Sequence, residues 1–132
     1  MACICGFGAR TPVGRTAFAS AAAVRAAISM FNDHPYMIDQ AGEPMVVAMD
    51  AFLAGELAGA GRFLELGLSA ATEALGTLRG EEGIAKQLQI LIGLPGQRPG
   101  LPEDLEGEIL GGFQGHFPGP GWRWCSATMA AA

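Results

Sequence analysis

Hydrophobic and polar positions along this chain follow two periods. Residues 3–7, Cys3-Ile4-Cys5-Gly6-Phe7, are apolar on both faces and predict a buried strand, central in a sheet that helices cover. Gly6, Gly8, Thr11-Pro12 and Gly14 then mark a tight turn. Thr16 is placed to cap a first helix, whose apolar positions Phe18, Ala21, Val24, Ala27, Ile28 and Phe31 recur at helical spacing. Pro35 disfavours helical geometry at His34, so this helix is predicted to end by Asn32. Residues 33–43 read as a loop, and Pro44-Met45-Val46-Val47-Ala48 as a short strand with proline at its start.

The second helix has the clearest pattern. Phe63, Leu64, Gly67, Leu68, Ala71, Leu75 and Leu78 fall on one stripe, with Arg62, Glu65, Ser69, Thr72, Glu73 and Arg79 outside it and Gly80 and Gly83 at its C-terminal end. Gly67 inside that stripe costs about 1 kcal/mol relative to alanine and predicts a close neighbour. Residues 88–93, Leu-Gln-Ile-Leu-Ile-Gly, form a second strand that is apolar on both faces apart from Gln89. After a Pro/Gly-rich turn over 95–102, Pro102 suits a first helical position, and Leu105, Ile109 and Phe113 make the stripe of a third helix. Residues 116–121 are loop, 122–125 predict a last strand, and 126–132 a frayed end or an aborted helix. Strand and helix alternate, which predicts an α/β fold with helices packed on a mostly parallel or mixed sheet.

Composition narrows the function classes. Half of the 132 residues are apolar, only 16% are charged and the net charge is −5, so neither a nucleic-acid backbone nor an anionic membrane finds a basic footprint. Arg25, Arg62, Glu65 and Glu73 interrupt the longest apolar stretches, and no basic segment precedes an apolar one at the N-terminus; a cytoplasmic location is expected. Cys3, Cys5 and Cys125 are an odd number, which fits thiols better than a disulfide framework.

The wording of the first turn carries further information. Ile4-Cys5-Gly6-Phe7-Gly8-Ala9-Arg10-Thr11-Pro12-Val13-Gly14 resembles the first strand and turn of the β-ketoacyl synthases of the thiolase superfamily, where a hydrophobic strand runs into Gly-x-Gly-x-x-Thr/Ser-Pro-x-Gly. Ala70-Ala71-Thr72-Glu73-Ala74-Leu75 looks like the end of that family's second helix, and residues 88–93 look like the strand that follows it. The resemblance implies one thiolase-like N-terminal domain over residues 1–132, lacking the second half that supplies the family's histidines. It implies a relation to acyl transfer, the carbon–carbon condensation of acyl thioesters, with an acyl carrier protein or acyl-CoA as partner and no cofactor or metal. The family's nucleophile is a cysteine thiolate at a strand-to-helix turn, where backbone amides hold the developing oxyanion. Trp122-Arg123-Trp124-Cys125-Ser126-Ala127 superficially looks like that turn, which makes Cys125 the candidate nucleophile; a structural thiol is the competing reading.

Other candidates are weaker. Gly6 and Gly8 invite a dinucleotide-binding reading, but Thr11 stands where the third glycine belongs and no acidic residue closes a second strand. Cys5 fits a buried small hydrophobe, while His34 and His116 read as solvated loop residues with no partner at metal-ligand spacing. Trp122 and Trp124 share a strand face and read as packing groups. Condensing activity is not expected from the chain alone. Self-association or a second polypeptide is expected, through the first helix, the stripe Leu105, Ile109 and Phe113, and the last strand; a non-catalytic adaptor or pseudoenzyme scaffold is the alternative.

Overall fold

A computed structural model describes residues 4–78, 88–117 and 123–128. In chain order the elements are α1 (Ala17–Arg25), β1 (Phe31–Ile38), β2 (Pro44–Ala48), α2 (Gly59–Gly76), β3 (Gln89–Leu94), α3 (Leu105–His116) and β4 (Arg123–Thr128). The class is mixed α/β, but the strands form two separate two-stranded sheets, an antiparallel β1–β2 hairpin and a parallel β3–β4 pair.

The core is built by α2, β3 and α3. Ala60, Leu94, Leu105, Ile109 and Phe113 are buried, and Phe63, Leu64, Leu68, Ala71 and Ile92 pack against them. The helices approach closely because each offers the other a glycine. A Cβ on Gly67 would stand 2.8 Å from Phe113 Cζ, and one on Gly112 would strike the Leu64 side chain. Gly67 therefore has the close neighbour that its cost in helix propensity predicts. Asp104 caps α3 by accepting from Gly107 N–H at 2.9 Å, with Glu106 and Glu108 in the first turn, so the helix begins after Pro102 rather than at it. Leu105, Ile109 and Phe113 are the buried stripe of this helix, as their helical spacing predicts, and being covered they are not the association surface that was also expected of them.

β3 and β4 pair in parallel over their full lengths, from Gln89 opposite Arg123 to Leu94 opposite Thr128. That pairing extends β4 through residues 126–128, where a frayed end was expected. β3 is covered on one face only. Its inward positions are Ile90, Ile92 and Leu94, while Leu91 is 69% exposed.

The first half of the chain departs most from the pattern. Residues 4–10 join no sheet; Ile4 is 88% and Phe7 56% exposed, and Cys5 is exposed. The segment lies along α2 instead of forming the central strand predicted for it, and the strand that pairs with β3 is β4. Gly6 and Gly8 permit this approach: a Cβ on Gly6 would stand 2.5 Å from Ala74 O, and one on Gly8 2.8 Å from Ala74 N. Thr11 and Gly14 close the expected tight turn with reciprocal backbone bonds of 2.9 and 3.2 Å, and Thr16 caps α1 through Ala19 N–H at 3.2 Å.

Helix α1 stops at Arg25, earlier than its apolar spacing suggests. Ala27 adopts φ 57°, and Ala27 N–H and Ile28 N–H donate to Val24 O and Ala23 O at 3.0 and 2.9 Å. This is a left-handed C-terminal cap built on alanine rather than glycine. The freed residues form β1, where a loop was expected, and β1 and β2 pair with an irregularity between Asp33 and Ile38. Among the described helices and strands, β1 and β2 make their substantial contacts only with each other. Gly80, Gly83, Cys3 and Trp122 lie outside the described residues.

Candidate functional site

Polar side chains gather where the opening turn meets α2. Arg10 Nε donates to Asp50 Oδ2 at 2.5 Å in an ion pair whose side chains are each 4% exposed, and Arg10 Nη1 donates to Ser69 Oγ at 3.3 Å. The other Asp50 oxygen accepts from Phe52 N–H at 2.9 Å. Burial opposes ionisation of Asp50, but the bonds from Arg10 and Phe52 N–H, together with the charges of Arg10 and Arg62, hold its carboxyl below the ordinary aspartate range.

Glu73 of α2 supplies the second half of the cluster. Its Oε2 accepts from Ala9 N–H at 3.0 Å, and both its oxygens accept from Ala17 N–H at 3.0 Å. Ala17 opens α1, which has no acidic residue of its own in the first turn, so Glu73 supplies the negative charge that a helix N-terminus favours. Below it, Thr11 Oγ1 and Ser20 Oγ lie 2.8 Å apart, and Ser20 Oγ donates to Thr16 O at 2.8 Å. Every oxygen of the two carboxylates accepts from at least one of the protein's own donors. The cluster is a clasp that docks residues 9–20 on α2, not a pair of groups open to a substrate.

The predicted nucleophile lies elsewhere. Cys125 is half-buried in the middle of β4 opposite Leu91, and its Sγ accepts from Gln89 Nε2 at 3.9 Å. Its neighbour Ser126 bonds Glu106 through Oγ. His34 sits in β1 with Nδ1 accepting from Tyr36 N–H and Met37 N–H at 3.2 and 3.0 Å. His116 ends α3, edge-on to Phe117 at 4.7 Å between centroids. The cysteine and the two histidines thus stand on three different elements. No group of three His, Cys, Asp or Glu side chains converges as a metal site among the described residues.

Among the described residues, clefts flank α2 on several sides. One of about 300 Å³ is largely apolar, between Phe63, Ala70, Ile92 and Phe113, with Arg10 also in its lining. A second, of about 380 Å³, is lined by Arg10, Arg15, Glu65, Thr72 and His116. A third, about 350 Å³, lies between the first turns of α2 and residues 98–101. The pairing of Arg10 with Asp50 has no local sequence signal, since the residues are 40 positions apart. In the sequence, Glu73 stands beside an apolar stripe and within the family-like helix ending, and neither reading predicts its bonds to Ala9 and Ala17. Comparisons with protein-family models, curated proteins and solved structures found no match. Among the described residues, no helix is long and apolar enough to cross a membrane.

Proposed function

We infer that this chain is a 3-oxoacyl synthase-like component related to acyl transfer, inactive in condensation by itself and working against a second polypeptide, although its two separate two-stranded sheets are not the single thiolase-like layer the resemblance implies. The acyl-transfer part rests on the opening motif, the end of the second helix and the following strand, which come in the order that family uses. Cys125, the candidate acyl acceptor, stands within a strand and away from both histidines, which favours a chain without condensing activity of its own.

The observation that carries the partner is the hairpin. A lone two-stranded hairpin is marginal in water. Here, among the described helices and strands, β1 and β2 make substantial contacts only with each other, and the hairpin exposes Phe31 at 68%, Tyr36 at 89%, Ile38 at 66% and Val46 at 63%. Large exposed apolar side chains grouped on one hairpin favour an interaction surface there.

Two measurements test the reading. Incubation with an acyl-CoA and with an acyl carrier protein thioester, followed by intact mass, is expected to leave the chain unmodified. A stable acyl adduct that disappears in Cys125→Ala would overturn the inactivity. Sedimentation at low micromolar concentration is expected to show self-association, or a monomer that binds a hydrophobic dye. A dye-negative monomer with one cooperative melt would remove the second polypeptide.

A further inference from the structure

We propose that the cleft between the start of α2 and residues 98–101 is a binding site for a phosphate ester of about mononucleotide size. Its volume of about 350 Å³ lies within the range of small-ligand pockets. Arg62 comes from the first turn of α2, Arg98 from the opposite wall, and the described lining contains no carboxylate. This is unusual in a chain with 13 acidic and only 8 basic residues. The Arg10 guanidinium is taken by Asp50, whereas Arg62 and Arg98 form no side-chain hydrogen bond or ion pair among the described residues. Asp50 feels the charge of Arg62, but its two oxygens are already occupied by Arg10 and Phe52 N–H.

The remaining walls suit the rest of such a ligand. Phe63 and Leu66 on one side and Leu101 on the other offer apolar surface for a planar or hydrocarbon body. Two glycines, one from each wall, lie near each other in the lining. Gly59 and Gly100 both have left-handed backbones, φ 55° and 91°, and a Cβ on Gly59 would stand 3.6 Å from Gly100 O. The α2 terminus adds to the field, because Ala58 at its N-cap makes no side-chain bond and no acidic residue occupies the first turn. Two guanidinium groups over one phosphate give charge-assisted bonds, and the apolar walls distinguish an ester from inorganic phosphate.

The test titrates the full chain with ADP, adenosine and inorganic phosphate, followed by amide chemical shifts. ADP is expected to saturate by about 1 mM and to move resonances of residues 59–66 and 98–101, with inorganic phosphate competing and adenosine binding at least about tenfold more weakly. R62Q and R98Q are each expected to weaken ADP by about tenfold, and added salt to weaken it further. Arg98 is exposed on a turn, so R98Q tests the site even if R62Q disturbs α2. Absence of saturation, equal affinity for ADP and adenosine, or unchanged ADP binding by a folded R98Q would each overturn the site.

Discussion

Replacing Glu73 with alanine should release the N-terminal segment from α2 while the α2–β3–α3 core persists. The Glu73 carboxylate is the acceptor for Ala9 N–H and Ala17 N–H, at 3.0 Å each. Bonds to a charged acceptor contribute about 1.5–3 kcal/mol each; the site is only partly buried, so water can replace the lost acceptor and the low end applies. Two such bonds make about 3 kcal/mol, before any loss from the α1 dipole. Because the segment joins no sheet, the loss should appear as local opening rather than as global unfolding. Native-state hydrogen exchange reads this directly: the amides of Ser20 to Val24 in α1 should exchange about a hundredfold faster in Glu73→Ala, while those of Ile109 to Phe113 change little. Glu73→Gln, which keeps an acceptor oxygen but no charge, should fall between. Protection of α1 within about threefold of the parent value would refute the clasp.

Three further outcomes follow from the same geometry. Gly67→Ala gains about 1 kcal/mol of helix propensity but meets Phe113, and overpacking of this kind costs about 1–3 kcal/mol. Gly111→Ala meets nothing within 4 Å, so urea denaturation should show net destabilisation for the first and about 1 kcal/mol of stabilisation for the second. Asp50 has a folded-state pKa below its unfolded value of about 3.9, so its contribution is present above that pH and lost as pH falls through the folded value; Asp50→Asn should flatten stability between pH 5 and the acid limit, as melting at stepped pH will show. Tyr36→Ser with Ile38→Ser should reduce self-association and dye binding without lowering the melting temperature, and unchanged sedimentation would remove the hairpin from the interface.

The parts of the fold that the sequence made legible are those whose partners are supplied by long, regular stripes. The stripe from Phe63 to Leu75 and the trio Leu105, Ile109 and Phe113 repeat often enough to orient whole helices, and Gly67 signals the close crossing between them. Residues 4–7 mislead because an apolar run identifies a strand only if another strand accepts it, and here α2 offers its backbone to two glycines instead. The end of α1 is obscured because alanine takes a left-handed cap position where glycine is the usual signal. β1 was hidden by Pro35 and by polar residues, and its strand character comes from pairing with β2. The clasp was illegible for a different reason. Arg10, Asp50 and Glu73 are brought together by tertiary docking, and no periodicity records a contact across 40 or 64 positions.

These contacts rank the elements by what holds them. The unit α2–β3–α3–β4 is held by apolar burial and a parallel ladder, which respond weakly to pH and salt. Residues 9–20 are held largely by ionic and charge-assisted bonds, and the Asp50 part of that attachment weakens in acid. The hairpin depends on its own ladder, so its order rises with whatever covers Phe31, Tyr36 and Ile38. Acid should therefore loosen the opening turn first, whereas dilution or hydrophobic-to-polar substitution should loosen the hairpin first. Exchange measured at pH 4 and at pH 7, each at two protein concentrations, separates the two. If the α1 amides follow concentration and those of β1 follow pH, the assignment of forces to these elements is reversed, and the hairpin is not the face that meets a second polypeptide.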